Sequence, residues 1–342
     1  YDQPDESRPV SRAIPAFLGA LADDGPRSRL HLAEWMVGPE NPLLARVTVN
    51  RLWEHFFSSG IVRTTDDFGY QGEYPSHPEL LDWLAVEFRE KGWNTKGMIR
   101  LIVTSSTYRQ ASRVRPEVST VDPENRLLSY FPRQRLAAEQ LRDQSLFVSG
   151  LLVESFGGPS VKPYQPEGLW EEIAMPDSPT RVFTQATGEG LWRRSLYTYW
   201  KRAAPPPSML AFDAPTRESC TVRRISTNTP LQALVLWNDV QFVEAARMLG
   251  ARTIGAAQDD AARLRWLFLT AASREPSVAE QAALLDGLTQ FRTRFEQSPS
   301  DAAKLLAVGM APQPEGVSPS ELAAWTMVSN AMLSSDAAIV KR

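Results

Sequence analysis

The sequence predicts a mainly α-helical protein with two lobes, separated by a long loop-rich middle segment that contains a little β-structure. Apolar residues recur at helical spacing through about residues 29–148 and again after residue 228. Several of these runs begin at capping residues and end at glycine. Between them, glycine and proline interrupt the chain repeatedly. The length of 342 residues allows about two domains, or one large domain.

The first part of the chain predicts an irregular lead-in over residues 1–25 and an N-terminal helical lobe over residues 26–150. The lead-in contains prolines and an Asp-Asp-Gly-Pro turn. In the lobe, Ser76 and Glu79 form a capping box before an apolar run, and Thr95 is placed to cap the next helix. Further helices are predicted at 29–37, at 42–57 and at about 133–148.

The second part predicts a loop-rich Arg/aromatic region over residues 151–227 and a C-terminal helical lobe over residues 228–342. We expect the C-terminal lobe to share one structural domain with the first lobe. In the loop-rich region, residues 195–200 are the strongest strand candidate. The C-terminal lobe has helix starts at Pro230 and Asp239, a helix at 261–272, and capping boxes at 277–280 and 318–321.

Composition excludes several classes of function. The chain has 37 basic and 40 acidic residues, a net charge of -3, which is unlike a generally basic nucleic-acid binder. Its single cysteine, Cys220, excludes an internal disulfide, a cysteine-based zinc cluster and a Cys-x-x-Cys-His haem attachment site. Three histidines without paired spacing predict no metal site and no cofactor in this chain. No apolar run approaches the ~20 residues that span a bilayer, and the start at Tyr1 suggests a piece of a longer protein.

The strongest local signal is an excess of basic and aromatic residues between residues 181 and 224. Eight basic residues there stand against three acidic ones, although the chain as a whole is acidic. Guanidinium groups pair bidentately with anions and stack on aromatic rings. An anionic polysaccharide is therefore one candidate ligand, whereas the alternative is that these arginines satisfy carboxylates and helix ends inside the protein. The candidate ligand-binding residues are Arg193, Arg194, Arg223, Arg224, Trp192, Tyr199 and Trp200.

Two other constellations have weaker signals. A carboxylate-dependent glycan hydrolase or lyase would use Asp66, Asp67 or Glu171 with His77, although the sequence gives no distance between these groups. A polar network that fixes the first lobe is predicted because its members recur at helical spacing. Those members are Arg100, Tyr108, Arg135, Glu139 and Arg142.

Many ordered motifs resemble the planctomycete-type domain of unknown function fifteen fifty-three. They cover the chain from about residue 27 to its C-terminus. In the first half they are NPLLARVTVNRLW (41–53), DFG (67–69), SHPELLD (76–82), GW (92–93), RLIVTSSTYR (100–109), DPEN (122–125) and RLAAEQLRD (135–143). In the second half they are PPSMLAFD (206–213), CTVRR (220–224) and TNTPLQALVLWN (227–238).

This resemblance implies a C-terminal module of large exported proteins, in the periplasm or at the cell surface. Such proteins often carry an upstream companion domain and, before it, a cytochrome-c-like haem domain. The resemblance transfers no mechanism to individual residues. We therefore expect a recognition or scaffold module, with the companion domain and an anionic polysaccharide as candidate partners. The alternatives are the hydrolase or lyase and a purely structural module, which would expose a large apolar patch toward the companion domain.

Overall fold

The computed structural model describes residues 11–21 and 28–341, and it is mainly helical as the sequence predicts. The chain divides into two compact units, with the boundary between residues 134 and 135. The middle segment therefore belongs to the same unit as the C-terminal helices. Of the predicted lead-in, residues 1–10 and 22–25 lie outside the described residues, and Ala16–Leu18 form a short 3-10 helix.

The first unit packs its helices around a core of aromatic and branched side chains. Its core residues include Trp53, Phe57, Leu84, Phe88 and Ile102, all nearly inaccessible to solvent. Burial of such side chains contributes about 1.5–3 kcal/mol each. The helices are α1 (Arg29–Val37), α2 (Leu44–Phe57), α3 (Pro78–Glu90), α4 (Thr95–Thr104) and α5 (Pro116–Val121).

Two predicted caps of the first unit differ from the structure. Ser76 does not cap α3: its hydroxyl donates to Ile61 O (3.3 Å) and lies 3.0 Å from His77 Nδ1, and His77 occupies the N-cap position. Asn94 replaces Thr95 as the cap of α4, because its Oδ1 accepts the amide of Gly97 at 2.9 Å. In both cases the helix lies near the predicted residues, since the apolar spacing is correct.

The second unit is built on two long buried helices that pack against each other. Its helices are α6 (Ala138–Ser149), α7 (Leu169–Ile173), α8 (Pro207–Ala211), α9 (Pro230–Asn238), α10 (Val240–Ala256), α11 (Asp260–Ala272), α12 (Val278–Gln297), α13 (Pro299–Leu306), α14 (Pro319–Leu333) and α15 (Asp336–Ile339). Helices α10 and α14 form the most extensive contact, and Gly250 permits it, because a Cβ there would lie 3.0 Å from the backbone of Trp325. The small sheet pairs β1 (Gln134–Arg135) with β2 (Val340–Lys341).

Capping and strand predictions for this unit have mixed outcomes. Ser277 forms the predicted capping box at α12, and Asp239 caps α10. Ser318 is the N-cap residue of α14, but its side chain makes no capping hydrogen bond. The predicted strand at 195–200 is wrong: Ser195–Tyr197 is a 3-10 helix, and only an isolated bridge joins Thr198 to Val161.

Candidate functional site

The middle segment is ordered by arginine side chains that point inward. The guanidinium of Arg142, on α6, donates to Gln241 Oε1 (2.5 Å), to Arg193 O (2.8 Å) and to Leu191 O (2.7 Å). Burial lowers the pKa of Arg142 to about 10, and the charge of Asp143 opposes this shift. Asp143 also accepts the amide of Ser195 at 2.7 Å. Arg142 therefore holds a segment whose own backbone forms only a short 3-10 helix and an isolated bridge.

Arg193, a candidate ligand-binding residue, is itself part of this internal structure. It is 9 % exposed, and its guanidinium lies 3.9 Å from the ring centroid of Tyr197. Its nitrogens donate to the carbonyls of Pro159 (3.1 Å), Ser155 (3.1 Å) and Gly157 (2.5 Å). The glycine-rich turn that follows residue 156 thus wraps a guanidinium with backbone carbonyls, and Arg193 lacks the exposure that a ligand contact requires.

Trp192 is held by a buried carboxylate rather than presented to solvent. Its Nε1 donates to Glu244 Oε2 at 2.9 Å. Glu244, fully buried on α10, also accepts hydrogen bonds from Tyr164 Oη (3.0 Å) and from the amides of Met310 (2.6 Å) and Ala311 (2.7 Å). Burial, followed by the charge of Glu244, raises the pKa of Tyr164. This cluster ties the middle segment to the turn before α14.

The other two candidate aromatics differ in their accessibility. Tyr199 packs against Trp170 with ring centroids 5.6 Å apart, and Lys162 lies over its ring. Trp200 is only partly buried, and its Nε1 donates to Thr216 O at 3.0 Å. The guanidinium of Arg217 lies 4.4 Å above the Trp200 ring, a cation–π geometry. Of the three candidate aromatics, Trp200 alone therefore neighbours an exposed arginine.

The loop of residues 216–229 carries exposed arginines, and two contacts near its C-terminal end hold it. Arg224 pairs bidentately with Glu139 at 2.7 and 3.1 Å. Burial alone would raise the pKa of Glu139, but the hydrogen bond from Arg224 and the nearby positive charges bring the pKa below its usual value. Three residues further on, the amide of Thr227 donates to the carboxylate of Asp213 (2.9 Å), which also forms an ion pair with Arg135.

Before these two contacts the loop is exposed to solvent. Arg223 is exposed and, within the described part of the chain, makes no hydrogen bond or ion pair. Cys220 is exposed on the same loop, as a free thiol. Outside the loop, Arg194 is 47 % exposed and lies 3.7 Å from Asp143.

Exposed apolar side chains occur both on this loop and on α9. The inner side of α9 places Leu236 in the core, whereas Leu231 and Leu234 are 57 % and 59 % exposed. These two leucines are three residues apart and share one helix face. We call the following set the docking surface: Val222, Ile225, Leu231 and Leu234, together with the exposed loop residues Arg217 and Arg223.

The catalytic candidates are each engaged locally. His77 and Asp67 lie in the first unit; Nδ1 of His77 contacts Ser76, and the Asp67 carboxylate accepts the amide of Gly69 at 2.7 Å. Asp66 is exposed in the same turn. Glu171 lies in the second unit, where one carboxylate oxygen accepts the amide of Phe183 (3.3 Å) and the other is buried without a partner. Within residues 11–21 and 28–341, no hydrogen bond or ion pair joins two of these four residues, so the geometry gives no support to carboxylate catalysis.

The five residues of the predicted polar network are divided between the two units. Arg100 is exposed on α4, and Tyr108 packs among Phe56, Phe57 and Phe131 in the first unit. The other three members, Arg135, Glu139 and Arg142, lie in the second unit, and each has a different partner, as described above. Glu139 and Arg142 both lie on α6, as their spacing predicts, whereas Arg135 precedes this helix and lies in β1.

The first unit contains a cavity of about 160 Å³. Its floor is apolar, formed by Trp53, Phe57 and Leu128, and its rim carries charged and hydroxyl groups.

Among the residues that the structure describes, no group of three histidine, cysteine or acidic side chains could hold a metal ion. In the same residues, no helix is both long and apolar enough to cross a membrane.

A family model matches residues 28–288, more than half of the chain. The chain belongs to the family described as protein of unknown function (DUF1553). This DUF1553 match confirms the family suggested by the sequence motifs, and it includes both the docking surface and the cavity. No curated protein and no solved structure gives a significant match.

Sequence reasoning missed the two features that this DUF1553 structure makes most conspicuous. The exposed leucines of α9 had a signal, because PLQALVLWN (230–238) is apolar on every side and contains no charge. Such a helix is either fully buried or covered by a partner. Glu244 had no comparable signal, since a glutamate within a helix is ordinarily solvated.

Proposed function

We propose that this chain is a recognition module that docks an acidic, amphipathic protein segment on the docking surface. The observation that supports this most directly is the exposure of Leu231 and Leu234, each more than half accessible on a helix without charged residues. Apolar surface rimmed by polar groups is typical of protein–protein contacts. A purely structural module that packs against a companion domain would also require such a surface.

The charges around the docking surface determine which kind of partner fits. Residues 216–238 contain Arg217, Arg223 and Arg224 against one acidic residue, Glu218. Arg224 is neutralised by Glu139, whereas Arg223 projects freely among the described residues. A partner with leucine-like side chains on one face and carboxylates beside them complements both features.

A designed peptide pair tests this proposal. One peptide places leucines along one helical face and glutamates along the other, and its match carries lysines in place of the glutamates. We expect the fluorescence anisotropy of the labelled acidic peptide to rise on titration with the protein. The lysine peptide should bind at least about ten-fold more weakly, and added salt should weaken the binding of the acidic peptide.

Matched leucine variants test whether the acidic peptide binds at α9. Leu231→Ser together with Leu234→Ser should abolish binding, whereas Leu196→Ser should not, although Leu196 is also exposed, at 77 %. All three residues are on the surface, so these changes should leave the fold intact. Equal binding of both peptides, or binding that survives the α9 double variant, refutes the proposal.

A second candidate ligand is an anionic polysaccharide, and the stacking of Arg217 on Trp200 favours it. A sugar face beside an indole and a guanidinium would gain both apolar contact and charge pairing. A sulfated oligosaccharide is the probe. Its binding should be lost in Arg217→Ala and kept in the Leu231/Leu234 double variant, whereas the reverse pattern assigns the surface to protein.

We further propose, from the family resemblance, that the module works within an exported multidomain protein whose haem lies on another domain. The companion domain of the same polypeptide is then the natural source of the acidic segment. Antibody detection of the native protein in periplasmic or cell-surface fractions, with a haem-stained band of the same mobility, supports this placement. Confinement to the cytoplasm contradicts it.

A further inference from the structure

The cavity of the first unit combines an apolar floor with a polar rim. Its volume of about 160 Å³ equals roughly five water molecules at ~30 Å³ each, which suits a small molecule or one ring rather than a polymer segment. It lies between the C-terminal end of α2, the turn that follows α2, and the loop after α5.

The floor presents an unpaired donor. Trp53 is 8 % exposed and lines the cavity, yet its indole nitrogen makes no hydrogen bond to any of the described residues. The Trp53 nitrogen is not among the fully buried unpaired atoms of the described residues, so water can reach it. Two other buried tryptophans, in contrast, are paired within the protein: Trp170 donates to Gln165 and Trp325 donates to Glu321, both at 2.9 Å. An acceptor atom on a ligand would give Trp53 the partner that the protein does not.

The rim carries positive charge with donors to spare. Arg63 donates one hydrogen bond to Glu124 (2.5 Å), and Arg126 donates one to Glu73 (3.2 Å). Each guanidinium has five N–H donors, so both keep several for a ligand. Arg63 and Arg126 line the cavity, and each is paired with one carboxylate, of which only that of Glu124 also lines it.

The wall adds hydroxyl groups at the end of α2 and before α3. Ser58, Ser59 and Ser76 all line the cavity, and Ser58 makes no hydrogen bond within the described residues. Gly60 shapes this wall, because a Cβ there would lie 2.5 Å from the amide of Asn50 and from Val62 O. The backbone of this turn is therefore closely packed at Gly60, whereas the hydroxyls of Ser58 and Ser59 are exposed to solvent.

We propose that this cavity binds a small hydroxy-carboxylate of the sugar-acid class. The carboxylate pairs with Arg63 and Arg126, the hydroxyls meet the serines, and an oxygen accepts the Trp53 indole proton. This inference goes beyond the docking function, and it concerns residues of the first unit only. Failure of one proposal leaves the other untouched.

Titration of the ¹⁵N-labelled full chain with glucuronate tests the proposal, with glucose as the neutral probe of the same shape. We expect glucuronate at millimolar concentration to shift the Trp53 indole cross-peak, which Trp53→Phe assigns by its disappearance. Glucose should bind at least about ten-fold more weakly. Arg63→Ala and Arg126→Ala should each weaken glucuronate binding by about ten-fold, as expected for loss of a charge-assisted hydrogen bond.

Arg46→Ala is the matched control, because Arg46 forms an ion pair of the same kind with Asp82 (2.7 Å) and does not line the cavity. It should bind glucuronate like the unmodified protein. A glucuronate-terminated disaccharide distinguishes a chain end from a free sugar acid, since only a chain-end site tolerates the added ring. An unmoved Trp53 signal, equal shifts with glucose, or equal weakening by Arg46→Ala overturns the proposal.

Discussion

Replacement of Glu244 by alanine should be one of the most destabilising single changes in the second unit. The carboxylate is fully buried and accepts four hydrogen bonds, from Tyr164, Trp192 and the amides of Met310 and Ala311. Alanine removes the acceptor and leaves all four donors in place. A buried donor without a partner costs about 1–3 kcal/mol.

Four such donors give a loss of at least about 4 kcal/mol in the free energy of unfolding. That is comparable to the entire stability of many domains, about 5–15 kcal/mol, so Glu244→Ala could fail to fold. Glu244→Gln keeps the volume and one carbonyl acceptor, and it should lose about half as much. Tyr164→Phe removes one donor together with its need for a partner, and it should cost only about 1 kcal/mol.

Urea denaturation, followed by tryptophan fluorescence and by circular dichroism, measures these differences. The expected order of stability is unmodified chain, Tyr164→Phe, Glu244→Gln, Glu244→Ala. A loss of less than about 1 kcal/mol for Glu244→Ala would refute the reasoning, because it would mean that water or rearranged side chains satisfy the four donors.

Three further predictions concern other groups. The hydrogen bond from Arg274 lowers the pKa of Glu280 to about 2, so the stabilisation from this pair is present above pH ~4.5 and lost as the pH falls toward 2. In urea denaturation at each pH, Glu280→Gln should reduce the acid-dependent loss in the free energy of unfolding by about 1 kcal/mol, because the pair is one-third exposed. Burial raises the pKa of Tyr164. The stabilisation that its neutral hydroxyl contributes is fully present below pH ~10 and is lost as the pH rises further. Tyr164→Phe should therefore reduce the fall in the free energy of unfolding above pH ~10. Asn50→Ala should cost about 2–4 kcal/mol in urea denaturation, since buried Asn50 pairs with both the amide and the carbonyl of Val62 (2.8 and 2.9 Å), and a neutral result would contradict that role.

Helices were predictable here because their signals are local. Asp239 and Ser277 cap the helices that follow them, as their position before an apolar run indicates. The segment 195–200 shows the limit of such signals. Its β-branched and aromatic residues suit a strand, but a strand also requires a neighbour to pair with, and the chain supplies only a single bridge, at Thr198.

The candidate site was only partly predictable, because an arginine's direction depends on distant backbone. Arg193 and Arg194 are adjacent in sequence, yet one is buried among carbonyls and the other is half exposed. The acceptors of Arg193 lie 34–38 residues earlier in the chain, a separation at which sequence spacing carries no information. Arg223 and Arg224 of the 216–229 loop were among the candidates, but Arg217 and the leucines of α9 were not.

The hydrogen bonds from Arg142 to the carbonyls of Leu191 and Arg193 have a consequence for how the protein folds during synthesis. Helix α6 leaves the ribosome about 50 residues before the backbone that its arginine holds. During translation the donor is therefore already in place when its acceptors emerge. A circular permutant that starts at residue 151 would reverse this order, and its early residues would stay open to proteases until the last helix was made.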